Sequence, residues 1–195
     1  MLNNGLPDIS FLDQQAQLLV RFVDRCHGTQ VRKYTGLPYV HHLVAVGRIV
    51  MDFTTDQRLL AIALCHDLYE DTECEASHFT KSLIDMGYHK SDAQFIDEKV
   101  SELTDEFVKA NYPDWNRRKR KKAEAKRLWV VSPEAQTVKY ADIIDNSLDL
   151  IKNDKGFARR YLDEVQQILK GMDKGESRLY KKAVRTVEDC MKQLS

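Results

Sequence analysis

Apolar residues in this chain recur three and four positions apart instead of alternating, and proline and glycine are sparse, so the pattern predicts an all-α molecule with almost no support for strands. A first helix is expected with Ser10 as its N-cap and Phe11, Leu12, Leu18, Leu19, Phe22 and Val23 on its inner side, fading near Gly28. Pro38 fits the start of a second helix, which carries His42, Val46, Ile49 and Val50. A third runs from about Asp56 through the apolar stretch Leu59 to Cys65 and on into the polar run His66-Asp67-Leu68-Tyr69-Glu70-Asp71. Helices are also predicted for Glu75 to Met86, Ala93 to Lys109, and Trp115 to Val131. Ser132-Pro133 has the form of an N-cap followed by a first-turn proline, opening a helix from Glu134 to about Lys152. On that helix Asp142, Asp145, Asn146 and Asp149 form a polar stripe against Val138, Ile144, Leu148 and Ile151. Phe157 to Leu169 and Leu179 to Met191 complete the set as amphipathic helices.

No repeat, low-complexity tract or linker interrupts the chain, and its 195 residues suit one domain over 1–195. The motif-bearing part covers about 15–152, with terminal helices over 153–195. Thirty basic side chains balance thirty acidic ones, so no global field draws in nucleic acid or an anionic membrane, and neither partner is expected. The four cysteines, Cys26, Cys65, Cys74 and Cys190, show no C-x-x-C pair and suggest reduced thiols in a cytoplasmic protein. Met1 to Ser10 lacks a basic leader, and no segment nears the roughly eighteen apolar residues of a membrane span.

The chemistry concentrates in the run from His66 to Asp71. On a continuous helix, at about 100° per residue, Glu70 shares a face with His66 and Asp67, and Asp71 lies over Asp67. Carboxylates beside an apolar run are costly unless paired or bound to a cation. With His42 and Asp142 from other helices, His66 and Asp67 make a mixed imidazole and carboxylate set suited to Mn²⁺, with Fe²⁺ or Zn²⁺ as alternatives. Taken singly, each is equally a cap, an ion-pair member or a satisfied core histidine; taken together they point to metal-assisted hydrolysis. Glu70 and Asp71 are the candidates for positioning water and moving protons, with burial expected to tune them, or else they form a solvated helix end. Arg32 and Lys33, read alone, are an ordinary exposed basic pair or cations that offset a phosphorylated substrate. The run Arg117 to Lys122, continued by Lys126 and Arg127, is a solvated helix face or a polyphosphate or RNA contact, and Tyr112, Trp115 and Trp129 beside it are packing residues.

Four motifs, in order, carry a family resemblance: His27-Gly28-Thr29-Gln30-Val31-Arg32-Lys33, Gly36-Leu37-Pro38-Tyr39-Val40-His41-His42, Ala63-Leu64-Cys65-His66-Asp67-Leu68-Tyr69-Glu70-Asp71-Thr72, and Val138-Lys139-Tyr140-Ala141-Asp142-Ile143-Ile144-Asp145-Asn146. With these the chain resembles the HD-domain metal-dependent phosphohydrolases, in particular the hydrolase domain of the RelA/SpoT family and its stand-alone small alarmone hydrolases. The resemblance implies an all-α HD-domain helical bundle that removes the 3′-pyrophosphate from guanosine tetra- or pentaphosphate. It implies Mn²⁺ on His42, His66, Asp67 and Asp142, with His42 and not His41 as the first ligand. It gives the nucleophilic water to Glu70 and Asp71, the nucleotide to Arg32 and Lys33, and its ribose or phosphate region to Asn146.

Three departures touch the nucleotide side of the pattern: a loop between Lys33 and Pro38 one residue longer than usual, Leu43 in place of a proline after the ligand histidine, and Leu148 where an arginine often follows the asparagine. They leave open an HD phosphohydrolase acting on another nucleotide with phosphate release. A non-catalytic RNA- or polyphosphate-binding module is the rival from a different class. No nucleotide-synthetase motif set accompanies the hydrolase pattern, so opposing activities in one chain are not expected.

Overall fold

The computed structural model describes residues 5–194; Met1 to Asn4, within the segment from Met1 to Ser10 read above for a leader, and Ser195 lie outside them. Ten helices and no strand occur among the described residues, in two compact units, Met1–Thr104 and Asp105–Ser195. The first unit holds α1 Gln14–His27, α2 Val40–Met51, α3 Gln57–Cys65, α4 Leu68–Asp71, α5 Ala76–Asp85 and α6 Lys90–Leu103; the second holds α7 Arg117–Leu128, α8 Pro133–Asn153, α9 Lys155–Leu169 and α10 Ser177–Lys192.

In the first unit α1 buries Ala16, Leu19, Val20, Phe22, Val23 and His27, a stripe at three- and four-residue spacing. Its N-cap is Asp13, whose side chain accepts from the Ala16 amide at 2.8 Å, not Ser10, which instead bonds Asp8. Phe11 and Leu18 are exposed, contrary to expectation; Phe11 precedes the helix and lies under the Arg48 guanidinium at 4.0 Å. Gly28 closes α1 with φ 56°, a conformation that a Cβ would strain. The wholly buried run Leu59 to Cys65 makes α3 the centre of this unit. There α2 approaches so closely that a Cβ on Gly47 would meet Leu60 Cδ1 at 3.0 Å.

The expected helix through the acidic cluster is broken. After Cys65 the chain turns at His66 and Asp67, with Asp67 at φ −100° and ψ 5°, before the single turn of α4. The helix predicted to reach Lys109 ends at Leu103, and amides in the irregular stretch beyond it find a side-chain partner. Glu124, buried on α7 and paired with Arg127 at 2.6 Å, accepts from Glu106 N and Phe107 N at 3.1 Å each. Phe107 and Trp115 stack 5.8 Å apart, with Tyr112 4.7 Å from Trp115, so these aromatics pack on one another.

Ser132 caps α8 through Ala135 N, with Pro133 in its first turn, as the sequence predicts. Tyr140 is fully buried, and its hydroxyl donates to Met172 O at 2.7 Å. Leu148, expected on the apolar side of α8, is exposed; Ser147 and Ile151 are buried instead, and Cys190 of α10 donates its thiol toward Ser147 O. All four cysteines are free, and burial raises the thiols of Cys26, Cys65 and Cys74, the last to about 12. No helix of the described residues is long and apolar enough to cross a membrane.

Candidate metal centre

The motif residues of the first unit converge from three segments. His42 comes from the first turn of α2, His66 from the end of α3, and Asp67 from the break before α4. The His42 and His66 rings lie 5.2 Å apart. Asp67 Oδ2 is 3.2 Å from His66 Nε2 and 3.6 Å from His42 Nε2. The three donor atoms lie within 4.8 Å of one another, and both histidines are buried.

Their orientation follows from the neighbours. His66 Nδ1 sits 2.8 Å from Ala63 O, and a carbonyl only accepts, so Nδ1 carries the proton and Nε2 turns its lone pair toward Asp67. The Tyr39 hydroxyl donates to Asp67 Oδ2 at 2.6 Å, holding the carboxylate from the other side. Two aimed imidazoles and one carboxylate, nearly removed from water, fit a divalent cation of mixed N/O preference. His41 points elsewhere, its Nε2 lying 3.0 Å from Gly5 O, which separates it from its neighbour His42.

Glu70 and Asp71 end α4 and are exposed, so the burial expected to tune them is not there. The break in the helix is the reason: α4 is one turn long and delivers its acidic end to solvent. Asp71 is nevertheless held, since Gln30 Nε2 donates to its Oδ2 at 3.0 Å, and Gln30 Oε1 in turn lies 2.7 Å from His27 Nδ1. The His27 ring stacks on Tyr39 at 4.9 Å. His27, Gln30 and Tyr39 therefore tie the cluster of His42, His66 and Asp67 to the acidic turn. No metal or acid-base role fell to them in the sequence; their only signal was membership of the motifs that hold Arg32, Lys33 and His42.

Arg32 and Lys33 lie on the loop between α1 and α2. That loop is closed by Arg32 N donating to Leu37 O at 2.8 Å and by the Val31 and Pro38 bridge. Gly36, at φ 67°, supplies the left-handed turn the closure needs. Lys33 lies over the Tyr34 ring at 4.7 Å.

In the second unit Asp142 is buried on α8. Its Oδ2 pairs with Lys139 at 2.9 Å and its Oδ1 accepts from Asn146 Nδ2 at 2.5 Å. Tyr161 of α9 joins this group through a hydrogen bond with Asn146. Burial, and then the Asp142 charge, raise its phenol well above the ordinary range. Tyr161 stands outside every sequence motif; only the packing of α9 on α8 brings it to these residues.

Helices in this order, with a histidine and a histidine-aspartate pair at one buried point, match the all-α HD-domain fold. The chain resembles the RelA/SpoT hydrolase domain in both sequence and fold. It is 31% identical over 135 residues to the proteins named GTP pyrophosphokinase rsh of Brucella ovis and Brucella abortus. The match takes in 66% of this chain and 16% of theirs, so the chain spans under a fifth of those relatives' length. A solved structure described as a metazoan ortholog of SpoT that hydrolyzes ppGpp superposes with a TM-score of 0.74 at 23% identity, over 91% of this chain and 96% of that one. No protein-family model matches the chain.

Proposed function

We propose that this protein is a metal-dependent phosphohydrolase that releases pyrophosphate from the 3′ position of guanosine tetra- or pentaphosphate. It would act in the cytoplasm, where its free thiols persist. One observation carries the chemistry: His66 Nε2 and Asp67 Oδ2 lie 3.2 Å apart at a buried point that His42 also faces. The likeness to a structure whose description names ppGpp hydrolysis, and the four ordered motifs, support the substrate.

His42, His66 and Asp67 would hold the ion, and Asp142 is assigned as a further ligand on its motif position. Mn²⁺ suits this donor set, with Fe²⁺ or Zn²⁺ also compatible. A divalent ion held by these residues would supply acidification of a water and polarisation of a phosphoryl oxygen. The side chains supply the rest. Tyr39 fixes the Asp67 carboxylate, and the exposed Glu70 takes the proton of the attacking water. Asp71, held by Gln30, orients that water. Arg32 and Lys33 bind the phosphates and offset the acidic turn, while Asn146 hydrogen-bonds the ribose or phosphate region.

Purified protein with Mn²⁺ is expected to release pyrophosphate from guanosine tetraphosphate, and Asp67→Ala or Glu70→Ala to abolish the release. Full activity in both variants defeats the reading. Asp142→Asn tests the further ligand separately, by loss of bound metal. A different nucleotide is the second reading, favoured by the exposed Leu148 where an arginine often stands. A nucleotide panel scored for phosphate against pyrophosphate release decides between them.

A further inference from the structure

Helix α7 places Arg118, Lys122 and Lys126 four residues apart, a stripe with about 6 Å between successive positions. All three are exposed, and none has a hydrogen bond or ion pair among the described residues. Their neighbours on the helix are engaged: Arg117 with Glu164 at 2.8 Å, Lys121 with Asp105 at 2.6 Å, and Lys119 over the Trp115 ring at 3.9 Å. Like charges four apart repel, so this stripe weakens its own helix until something anionic lies along it.

The stripe walls a groove of about 820 Å³ within the second unit, lined also by Arg160, Asp163 and Trp129. We propose that this groove binds single-stranded RNA. Exposed cations contribute little one at a time. A phosphate chain engages several together and gains from released counterions, which favours a polymer over a mononucleotide. Trp129 is pinned across α9 by Nε1 donating to Gln167 O at 3.2 Å and Ile168 O at 2.9 Å, a fixed indole against which a base stacks. Asp163 is exposed and has no ion pair among the described residues. A carboxylate there repels phosphate but accepts from a ribose 2′-hydroxyl, a group DNA lacks. The neutral net charge predicts no such partner because it averages over the whole surface, whereas this cluster is local.

Fluorescence anisotropy of a labelled short oligouridine against the full chain tests the proposal. Four phosphate contacts, from Arg118, Lys122, Lys126 and the exposed Arg160, at ~0.7 each, predict a slope of about −2.8 in log affinity against log salt, or roughly 50-fold weaker binding from 50 to 200 mM. The triple variant Arg118→Glu, Lys122→Glu, Lys126→Glu is expected to flatten the slope to about −0.7. The charge-matched control Lys174→Glu, Lys181→Glu, Arg185→Glu, also at exposed positions, is expected to keep it steep. Asp163→Ala, which removes the acceptor, is expected to narrow the preference for RNA over DNA of matching sequence. Equal losses in the two triple variants, equal binding of RNA and DNA by the unmodified protein, or displacement of the oligonucleotide by GTP at comparable concentration would each overturn it.

Discussion

The His66 imidazole meets the carboxylate of the very next residue, Asp67, at 3.2 Å. Neighbours on an uninterrupted helix point about 100° apart. The contact therefore exists because α3 stops at Cys65 and the backbone of Asp67 leaves the helical region before α4 begins. A break in a buried helix has produced a place where two unlike donors reach one point.

Tyr39→Phe removes the hydroxyl that donates to Asp67 while leaving the ring that stacks on His27. Metal affinity is expected to fall about 10–100-fold, with activity largely restored at saturating metal. Metal titration followed by rate measurement checks this; unchanged affinity would show that the hydroxyl does not orient the carboxylate.

Glu70→Gln keeps shape and removes the carboxylate proposed to accept the water's proton, at an exposed position. The expected outcome is a drop in kcat of about 10²–10⁴ with full metal occupancy. Asp67→Asn should lose metal and rate together. Elemental analysis beside steady-state kinetics separates the two.

Chelation should lower thermal stability as well as rate, because an ion held by the folded chain alone stabilises it by about 2.7 kcal/mol at a hundred times its Kd. For a chain of this size that amounts to a fall in Tm of about 5–10 °C, reversed by Mn²⁺. Identical melting curves with and without chelator would count against an ion at His42, His66 and Asp67.

Asp56 caps α3, accepting from Arg58 N at 2.9 Å and from the Arg58 guanidinium at 2.8 Å. The Arg58 side chain lowers its carboxyl below the usual range, with burial opposing. A depressed folded value means the stabilisation is complete above the unfolded carboxylate range near pH ~4 and is lost as pH falls through the lowered value. Asp56→Ala should cost about 1 kcal/mol at neutral pH. Urea midpoints for the two proteins should converge in strong acid.

A Cβ on Gly175 would lie 2.7 Å from Tyr140 Cε2 and 2.8 Å from both Thr137 N and Oγ1. Backbone and a buried ring cannot yield as a flexible side chain does, so Gly175→Ala should destabilise by about 1–3 kcal/mol. Denaturant unfolding measures it.

Helix class, the cap at Ser132 with Pro133, the end of α1 near Gly28 and the four ordered motifs were all legible in the chain itself, since spacing, capping and turn chemistry act among near neighbours. The singling out of His42 over His41 was legible too, through its motif. Packing decided the rest. The break at His66 and Asp67, the end of α6 at Leu103, the exposure of Glu70 and Asp71, and the contacts of Tyr39, Gln30 and Tyr161 all depend on partners distant in sequence. Periodicity records which side of a helix prefers to be dry. Where that helix stops, and which carboxylate a hydroxyl from another segment will reach, is settled only when buried polar groups compete for partners in three dimensions.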